Sequence, residues 1–169
     1  EDVKFTQRKG EGHLTDSHAP GKAWETEFAA LDLETTGLDP LKDRIVEAAA
    51  VVFKGDSVLD TFETLVNPGV RITPALTASH GIDNGMVKGA PKPPEAVSRL
   101  LLFLGERPLV IHNAPFDMGF IDRVLGESFL EPAPNDLFDT SRIAPVVFPG
   151  LPDYKLGSLS RALGVKPGR

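Results

Sequence analysis

The 169-residue chain has 18 basic and 24 acidic side chains, and its net charge of −6 excludes binding nucleic acid through a general positive field. An apolar content of 41%, a mean hydropathy of −0.09 and no apolar run near the roughly 20 residues that span a bilayer predict a soluble globular protein without a membrane partner. The absence of cysteine excludes disulfides, thiolate metal sites and a cysteine nucleophile, and it suits a cytoplasmic location.

The first part of the chain predicts an extension followed by three antiparallel strands. Residues 1–22 are rich in glycine, proline and charge and lack apolar periodicity, which predicts an extension or linker with at most a short strand near residues 3–6. Residues 23–169 are then expected to form the folded domain. Its first three strands are predicted at residues 27–33, 44–53 and 58–66, joined by short turns into a meander.

The second part of the chain changes to a helical period. Strands are predicted at residues 108–112 and 137–139, and helices at residues 74–79, 83–87, 95–104, 115–125, 140–147 and 156–163. Asp83 is the expected N-cap of the second of these helices. The elements together predict an α/β architecture, in which helices flank a mixed five-stranded sheet whose first three strands form the meander.

The most informative motif lies at residues 31–37, where Asp32 and Glu34 stand two residues apart on the first predicted strand. Because strand side chains alternate between faces, both carboxylates are expected on one face of the sheet. Two neighbouring carboxylates repel each other and resist burial. A divalent metal ion is the natural counter-charge.

A third carboxylate follows in the segment His-Asn-Ala-Pro-Phe-Asp at residues 112–117. Asp117 lies in the first turn of a helix that follows a buried strand, which is where ligands gather in open α/β sheets. Asp117 is therefore a candidate to join Asp32 and Glu34. The alternative is that it only stabilises the helix N-terminus. For Asp139 we expect such a capping role, rather than metal binding.

The motif Asp-Leu-Glu-Thr-Thr-Gly, followed about 80 residues later by His-Asn-x-x-Phe-Asp, resembles the DEDD family of 3′–5′ exonucleases. This DnaQ-like family has an RNase H-like fold. The resemblance spans residues 28–169 and includes the segments at residues 43–47, 80–82 and 138–140. In detail the chain most resembles the DEDDh branch, which contains the proofreading epsilon subunit of bacterial DNA polymerase III.

The resemblance implies that terminal phosphodiesters of DNA are hydrolysed by a two-metal mechanism. Asp32, Glu34 and Asp117 would be the catalytic residues and would hold two Mg²⁺ or Mn²⁺ ions. The substrate would be a single-stranded or frayed 3′ end of DNA, and a polymerase subunit or domain is an expected partner. The residues expected to contact the substrate are Thr35, Thr36, Gly37, Leu38, His80, Asn113 and Phe116. His112 is expected to be a core histidine with a satisfied hydrogen bond.

The family's third motif, His-x-x-x-x-Asp, would supply a general base and a fourth carboxylate shortly after residues 156–164. No histidine follows His112, so neither role is assigned here. We expect the domain to lack the C-terminal helix that carries this motif, and a chain that stops at Arg169 to be severely impaired in catalysis. Two alternatives remain: an RNA-directed exoribonuclease, and a catalytically silent exonuclease-like module that binds nucleic acid or a protein.

Overall fold

The structure is a computed structural model that describes residues 23–165. The predicted extension at residues 1–22, with its short strand, and the last four residues lie outside the described part of the chain. None of the helices in residues 23–165 combines the length and the apolar composition needed to cross a membrane.

Five strands form one mixed sheet, as the sequence predicts. They are β1 (Glu27–Thr35), β2 (Ile45–Lys54), β3 (Ser57–Leu65), β4 (Leu109–Ile111) and β5 (Leu137–Asp139). The strand order is β3-β2-β1-β4-β5. The first three strands pair antiparallel, whereas β4 lies parallel to β1 and β5 parallel to β4. The predicted meander is therefore confirmed.

A short 3₁₀ helix (Ala23–Glu25) precedes β1, and five α-helices lie in the described part of the chain. They are α1 (Pro74–His80), α2 (Pro93–Leu104), α3 (Ala114–Glu127), α4 (Thr140–Val147) and α5 (Leu156–Ala162). Proline lies in the first turn of α1, α2 and α3, where its missing N–H has no intrahelical partner in any case.

The helix predicted at residues 83–87 is wrong, because this segment forms only turns. The Asp83 carboxylate does accept the N–H groups of Gly85 and Met86, at 2.7 and 3.0 Å, as an N-cap would. Asn84 instead bonds both backbone groups of Ile72 through its side chain. These bonds favour a turn, and glycine is a poor helix former, so no helix follows the cap.

The two faces of β1 have different environments. Leu31, Leu33 and Thr35 are buried, while Asp32 is exposed and Glu34 is half-buried on the opposite face. The buried face belongs to the main hydrophobic core, to which α2 and α3 contribute apolar side chains. Apolar burial of about 25 cal/mol per Å² fixes this orientation, since a slip of one residue would put both carboxylates into the core.

The edge of β1 that faces β4 is only partly paired. Strand β4 aligns with β1 only at Ala29 and Ala30, so the second half of this edge extends beyond it. The chain leaves β4 through Asn113, whose φ of 69° and ψ of 53° are left-handed, and enters α3 at once. The first turn of α3 is thereby brought to the end of β1, beside the two carboxylates.

Candidate active site

Asp32 and Glu34 project from the same face of β1, as predicted from their spacing. Burial raises the pKa of Glu34, and the negative charge of Asp32 raises it further. The surface of Asp32 is exposed, yet the surrounding protein displaces enough water to raise its pKa as well, an effect that the nearby His112 opposes. Both carboxylates are therefore harder to ionise than a free side chain.

Asp117 completes the group from the first turn of α3. Its side chain is only 2% exposed, and Oδ1 accepts the N–H of Leu33 at 3.0 Å. Burial is the main reason that its pKa rises to about 7, and the charge of Asp32 adds to this shift. Asp117 therefore lies against β1 beside Asp32. The alternative, that it only stabilises the N-terminus of its helix, does not account for its bond to β1.

Two further carboxylates share this face of the sheet, and the sequence interpretation assigned neither. Glu47 of β2 is the direct cross-strand partner of Glu34. Glu63 of β3 pairs with Ala49, which itself pairs with Asp32. Burial raises the pKa of Glu47, followed by the charges of Glu63, Glu34 and Asp32. The alternation of β2 and β3 contains this signal, but only the register reveals which side chains meet.

The turn after β1 is held by its own side chains. The Thr35 hydroxyl donates to the Gly37 carbonyl at 2.6 Å, and the Thr36 hydroxyl accepts the N–H of Arg44 at 2.9 Å. A Cβ on Gly37 would lie within 2.6 Å of three atoms of the Asp43 carboxyl group. Both hydroxyls are thus engaged within the protein, and a close approach of Asp43 explains the glycine. Their contact with a nucleotide stays a prediction.

Asp43 and Arg123 connect this turn to its surroundings, and sequence reasoning missed both roles. The Asp43 carboxylate accepts the N–H of Asp39 at 3.0 Å. Arg123 of α3 donates to the carbonyl of Pro40 and forms an ion pair with Glu127 at 2.7 Å. Asp43 was within a recognised segment, at residues 43–47, but the bond of 3.4 Å from the Arg123 side chain to the Asp43 carbonyl depends on tertiary structure.

The two histidines near the carboxylates have different surroundings. The hydrogen bond expected for His112 is confirmed, since its Nδ1 lies 3.0 Å from the Thr140 hydroxyl, but the residue is half-buried and not in the core as predicted. Nδ1 of His80, at the end of α1, accepts the N–H of Ile82 at 3.1 Å. Its Nε2 is buried without a partner in the described residues.

The remaining predicted substrate contacts are accessible to different degrees. Leu38 is 83% exposed just beyond the β1 turn, and Asn113 is exposed at the start of α3. Phe116 is half-buried and packs edge-on against Phe120, with ring centroids 5.2 Å apart. The structure thus places all three around the end of β1 or the start of α3.

Whether a metal ion fits between Asp32, Glu34 and Asp117 depends on the oxygen donors that these side chains offer. Across residues 23–165, no three acidic or histidine side chains converge closely enough to hold a metal ion as they stand. Asp32, Glu34 and Asp117 nevertheless provide neighbouring carboxylate oxygens, the ligands that Mg²⁺ and Mn²⁺ prefer. Burial raises the pKa of all three, and the charge of Asp32 raises those of Glu34 and Asp117 further, so the ionised forms are disfavoured and a divalent cation would favour them. The residues fit such an ion chemically.

Comparison with known sequences identifies relatives along most of the chain. A family model described as Exonuclease matches residues 29–168. The PolC-type DNA polymerase III of Caldanaerobacter subterraneus subsp. tengcongensis is 37% identical over 162 residues, which cover 92% of this chain and 12% of that protein. The PolC-type enzyme of Bacillus cereus is 33% identical over 142 residues, covering 84% and 10%. The chain thus spans about a tenth of the length of these relatives.

Solved structures share the fold. Exonuclease X in complex with 5′ overhanging duplex DNA has a TM-score of 0.67 and 26% identity, with 83% of this chain and 75% of that chain covered. Exonuclease I of E. coli, in complex with a dT13 oligonucleotide, has a TM-score of 0.71. It is 19% identical, and the match covers 85% of this chain and 37% of that chain. At this level of identity the similarity supports the fold alone.

Proposed function

Because the Exonuclease model matches residues 29–168, the chain belongs to this family of DnaQ-like DEDD nucleases with an RNase H-like fold, and we propose that it is a metal-dependent 3′–5′ exonuclease acting on DNA. The observation that carries the proposal is the position of Asp117. Its bond of 3.0 Å to the Leu33 N–H brings a third carboxylate beside Asp32 and Glu34 at one end of β1.

We propose that the substrate is a single-stranded or frayed 3′ end of DNA and that the reaction proofreads newly made DNA. The sequence relatives are DNA polymerases, and exonuclease X was solved with DNA, which supports DNA over RNA. A polymerase subunit or domain is the proposed partner. With a net charge of −6 the chain has little general attraction for a polyanion, so a partner that presents the strand fits its charge.

We propose that Asp32, Glu34 and Asp117 hold two Mg²⁺ or Mn²⁺ ions. When bound, such ions activate the attacking water and stabilise the leaving 3′-oxygen. The protein contributes the placement of the carboxylates: β1 fixes Asp32 and Glu34 on one face, and the Leu33 N–H orients Asp117. The buried environment of Asp117 strengthens the attraction between its ionised form and a cation.

The terminal nucleotide is proposed to bind between the β1 turn and the start of α3. Exposed Leu38 and half-buried Phe116 offer apolar surface to the base or sugar, and Asn113 offers an amide. Nε2 of His80 has no partner in the described residues and is a hydrogen-bond donor, because Nδ1 already accepts the Ile82 N–H; since this atom is buried, its proposed contact requires that it become accessible when the nucleotide binds. These four residues are proposed to orient the substrate, rather than to perform the chemistry.

The test is degradation of a 5′-labelled single-stranded DNA oligonucleotide by the natural gene product to which these residues belong, with Mg²⁺ or Mn²⁺. We expect labelled products that shorten from the 3′ end, and a loss of activity in Asp32→Asn. If His-x-x-x-x-Asp lies outside these 169 residues, the isolated chain should be about 10²–10⁴-fold slower, the usual contribution of a general base.

Two controls separate the competing interpretations. Asp136→Asn removes an exposed carboxylate from the loop before β5 and should leave the rate unchanged. An RNA oligonucleotide of the same sequence tests the RNA-directed alternative, which a faster rate on RNA would favour. Equal rates for the unaltered protein and Asp32→Asn, or release of the label as the first product, would contradict the proposed function.

A further inference from the structure

The carboxylate of Asp139 caps two helices at once. It accepts the backbone N–H and the hydroxyl of Ser141, at 2.9 and 2.7 Å, and so caps α4 as the sequence predicts. It also accepts the N–H groups of Asn113 and Ala114, at 3.0 and 3.2 Å, which belong to the start of α3. The second set of bonds crosses from β5 to a different element and has no counterpart in a simple N-cap.

The start of α3 depends on these bonds because its own N-cap residue does not cap it. Asn113 makes no side-chain capping bond and has left-handed backbone angles. The first N–H groups of a helix have no intrahelical acceptor and need an outside partner. Asp139 can serve them because β5 lies parallel to β4, with Asp139 directly opposite Ile111.

The bonds from Asp139 to the start of α3 also affect the position of Asp117, which lies one helical turn after Asn113. The first turn of α3 is held at its beginning by Asp139 and farther along by the bond from the Leu33 N–H to Asp117. We propose that Asp139 is a positioning residue, which by capping α3 across the sheet sets where the Asp117 carboxylate meets β1. The structural part of this proposal stands on hydrogen bonds alone, whereas its effect on catalysis rests on the proposed function.

A second contact supports the same arrangement. The Thr140 hydroxyl, next to Asp139, lies 3.0 Å from Nδ1 of His112 and 3.4 Å from the Ile111 carbonyl. The junction of β5 and α4 thus contacts four consecutive residues of the junction of β4 and α3, from Ile111 to Ala114. Asp139 provides the charged bonds in this group, and bonds to a charged acceptor are about twice as strong as neutral ones.

Hydrogen exchange of the Leu33 amide measures the proposal directly, because this N–H donates to Asp117. In Asp139→Ala, measured by NMR on the full chain in metal-free buffer, we expect exchange of the Leu33 amide to accelerate at least about tenfold. Exchange of the Ala29 amide should not change, since it lies on the same edge of β1 and donates to the Pro108 carbonyl at 3.0 Å.

Asp153 provides a matched control for the loss of carboxylate bonds at the start of a helix. Its carboxylate accepts the N–H of Lys155, the residue before α5, at 3.0 Å and the hydroxyl of Ser158, and it has no bond to α3. Asp153→Ala should leave exchange of the Leu33 amide unchanged. Asp139→Asn keeps one side-chain oxygen as an acceptor and should give an acceleration between those of the unaltered protein and the alanine variant.

Unchanged Leu33 exchange in either Asp139 variant, or the same acceleration in Asp153→Ala, would overturn the proposal. If Asp139→Ala does not fold, the proposal is tested by comparing exchange of the Leu33 amide in Asp139→Asn with that in Asp153→Ala. In the nuclease assay, Asp139→Ala should raise the Mn²⁺ concentration for half-maximal rate, while Asp153→Ala should not. A natural gene product without nuclease activity would refute the proposed function but would leave the exchange result intact, so the two failures are distinguishable.

Discussion

Replacing Asp117 with asparagine should stabilise the metal-free protein at neutral and alkaline pH. The side chain is 2% exposed, and burial together with the charge of Asp32 raises its pKa from 3.8 to about 7. In the unfolded chain the carboxyl group ionises near its ordinary pKa. Between these values the folded protein binds more protons than the unfolded one, so the free energy of unfolding falls as the pH rises from about 4 to about 7.

The magnitude follows from the difference between the two pKa values. This difference corresponds to roughly 4 kcal/mol of stability that is present below pH 4 and absent above pH 7. The asparagine side chain keeps an oxygen to accept the Leu33 N–H, but its buried NH₂ group lacks an assured acceptor, which costs about 1–2 kcal/mol. We therefore expect Asp117→Asn to be more stable than the unaltered protein by roughly 2–3 kcal/mol at pH 8.

Urea denaturation with EDTA at pH 4, 6 and 8 measures this difference. Most of the gain should be lost at pH 4, where the carboxyl group is protonated in the folded protein and only about half ionised in the unfolded chain. The exposed Asp136→Asn controls for the loss of one negative charge. Added Mn²⁺ should stabilise the unaltered protein at pH 8 more than Asp117→Asn. A variant that is less stable at pH 8, or a difference that does not depend on pH, would refute the reasoning.

Two further predictions concern the turn after β1. Gly37→Ala should lower the free energy of unfolding by about 1–2 kcal/mol and reduce nuclease activity, because its Cβ would displace the Asp43 carboxylate from the Asp39 N–H. Thermal melts measure this loss of stability. The control is Gly126→Ala, which should lose no stability because a Cβ there meets nothing within 4 Å. Thr35→Val should cost about 1 kcal/mol in urea denaturation, because it removes the bond of 2.6 Å to the Gly37 carbonyl. Unchanged stability in either turn variant would contradict the role of these contacts.

The strands were predictable from the sequence where alternating apolar and polar residues determine which face of the strand is buried. The alternation in β1, β2 and β3 placed each strand within two residues of its observed ends, and β5 and α4 have the predicted bounds. The segment at residues 83–87 was mispredicted because Asp83 gives the same signal for a capped helix and for a turn. The contact of the Asn84 side chain with Ile72, which favours the turn, spans 12 residues and has no local signature.

The candidate site was predictable to the extent that it depends on spacing. The period of two places Asp32 and Glu34 on one face, and the start of a helix after a buried strand brings Asp117 to them. The positions of Glu47 and the second capping role of Asp139 were missed. Both depend on which residues lie opposite each other across the sheet, and that register is set by tertiary packing.

Binding of Mn²⁺ to the full chain tests the central claim most directly, because it needs neither a general base nor a substrate. Isothermal titration calorimetry at pH 8 should detect up to two ions per chain. Binding should be lost in Asp32→Asn and retained in Asp136→Asn. Equal binding by Asp32→Asn and the unaltered protein, or no binding by either, would contradict the claim that these carboxylates form a metal site.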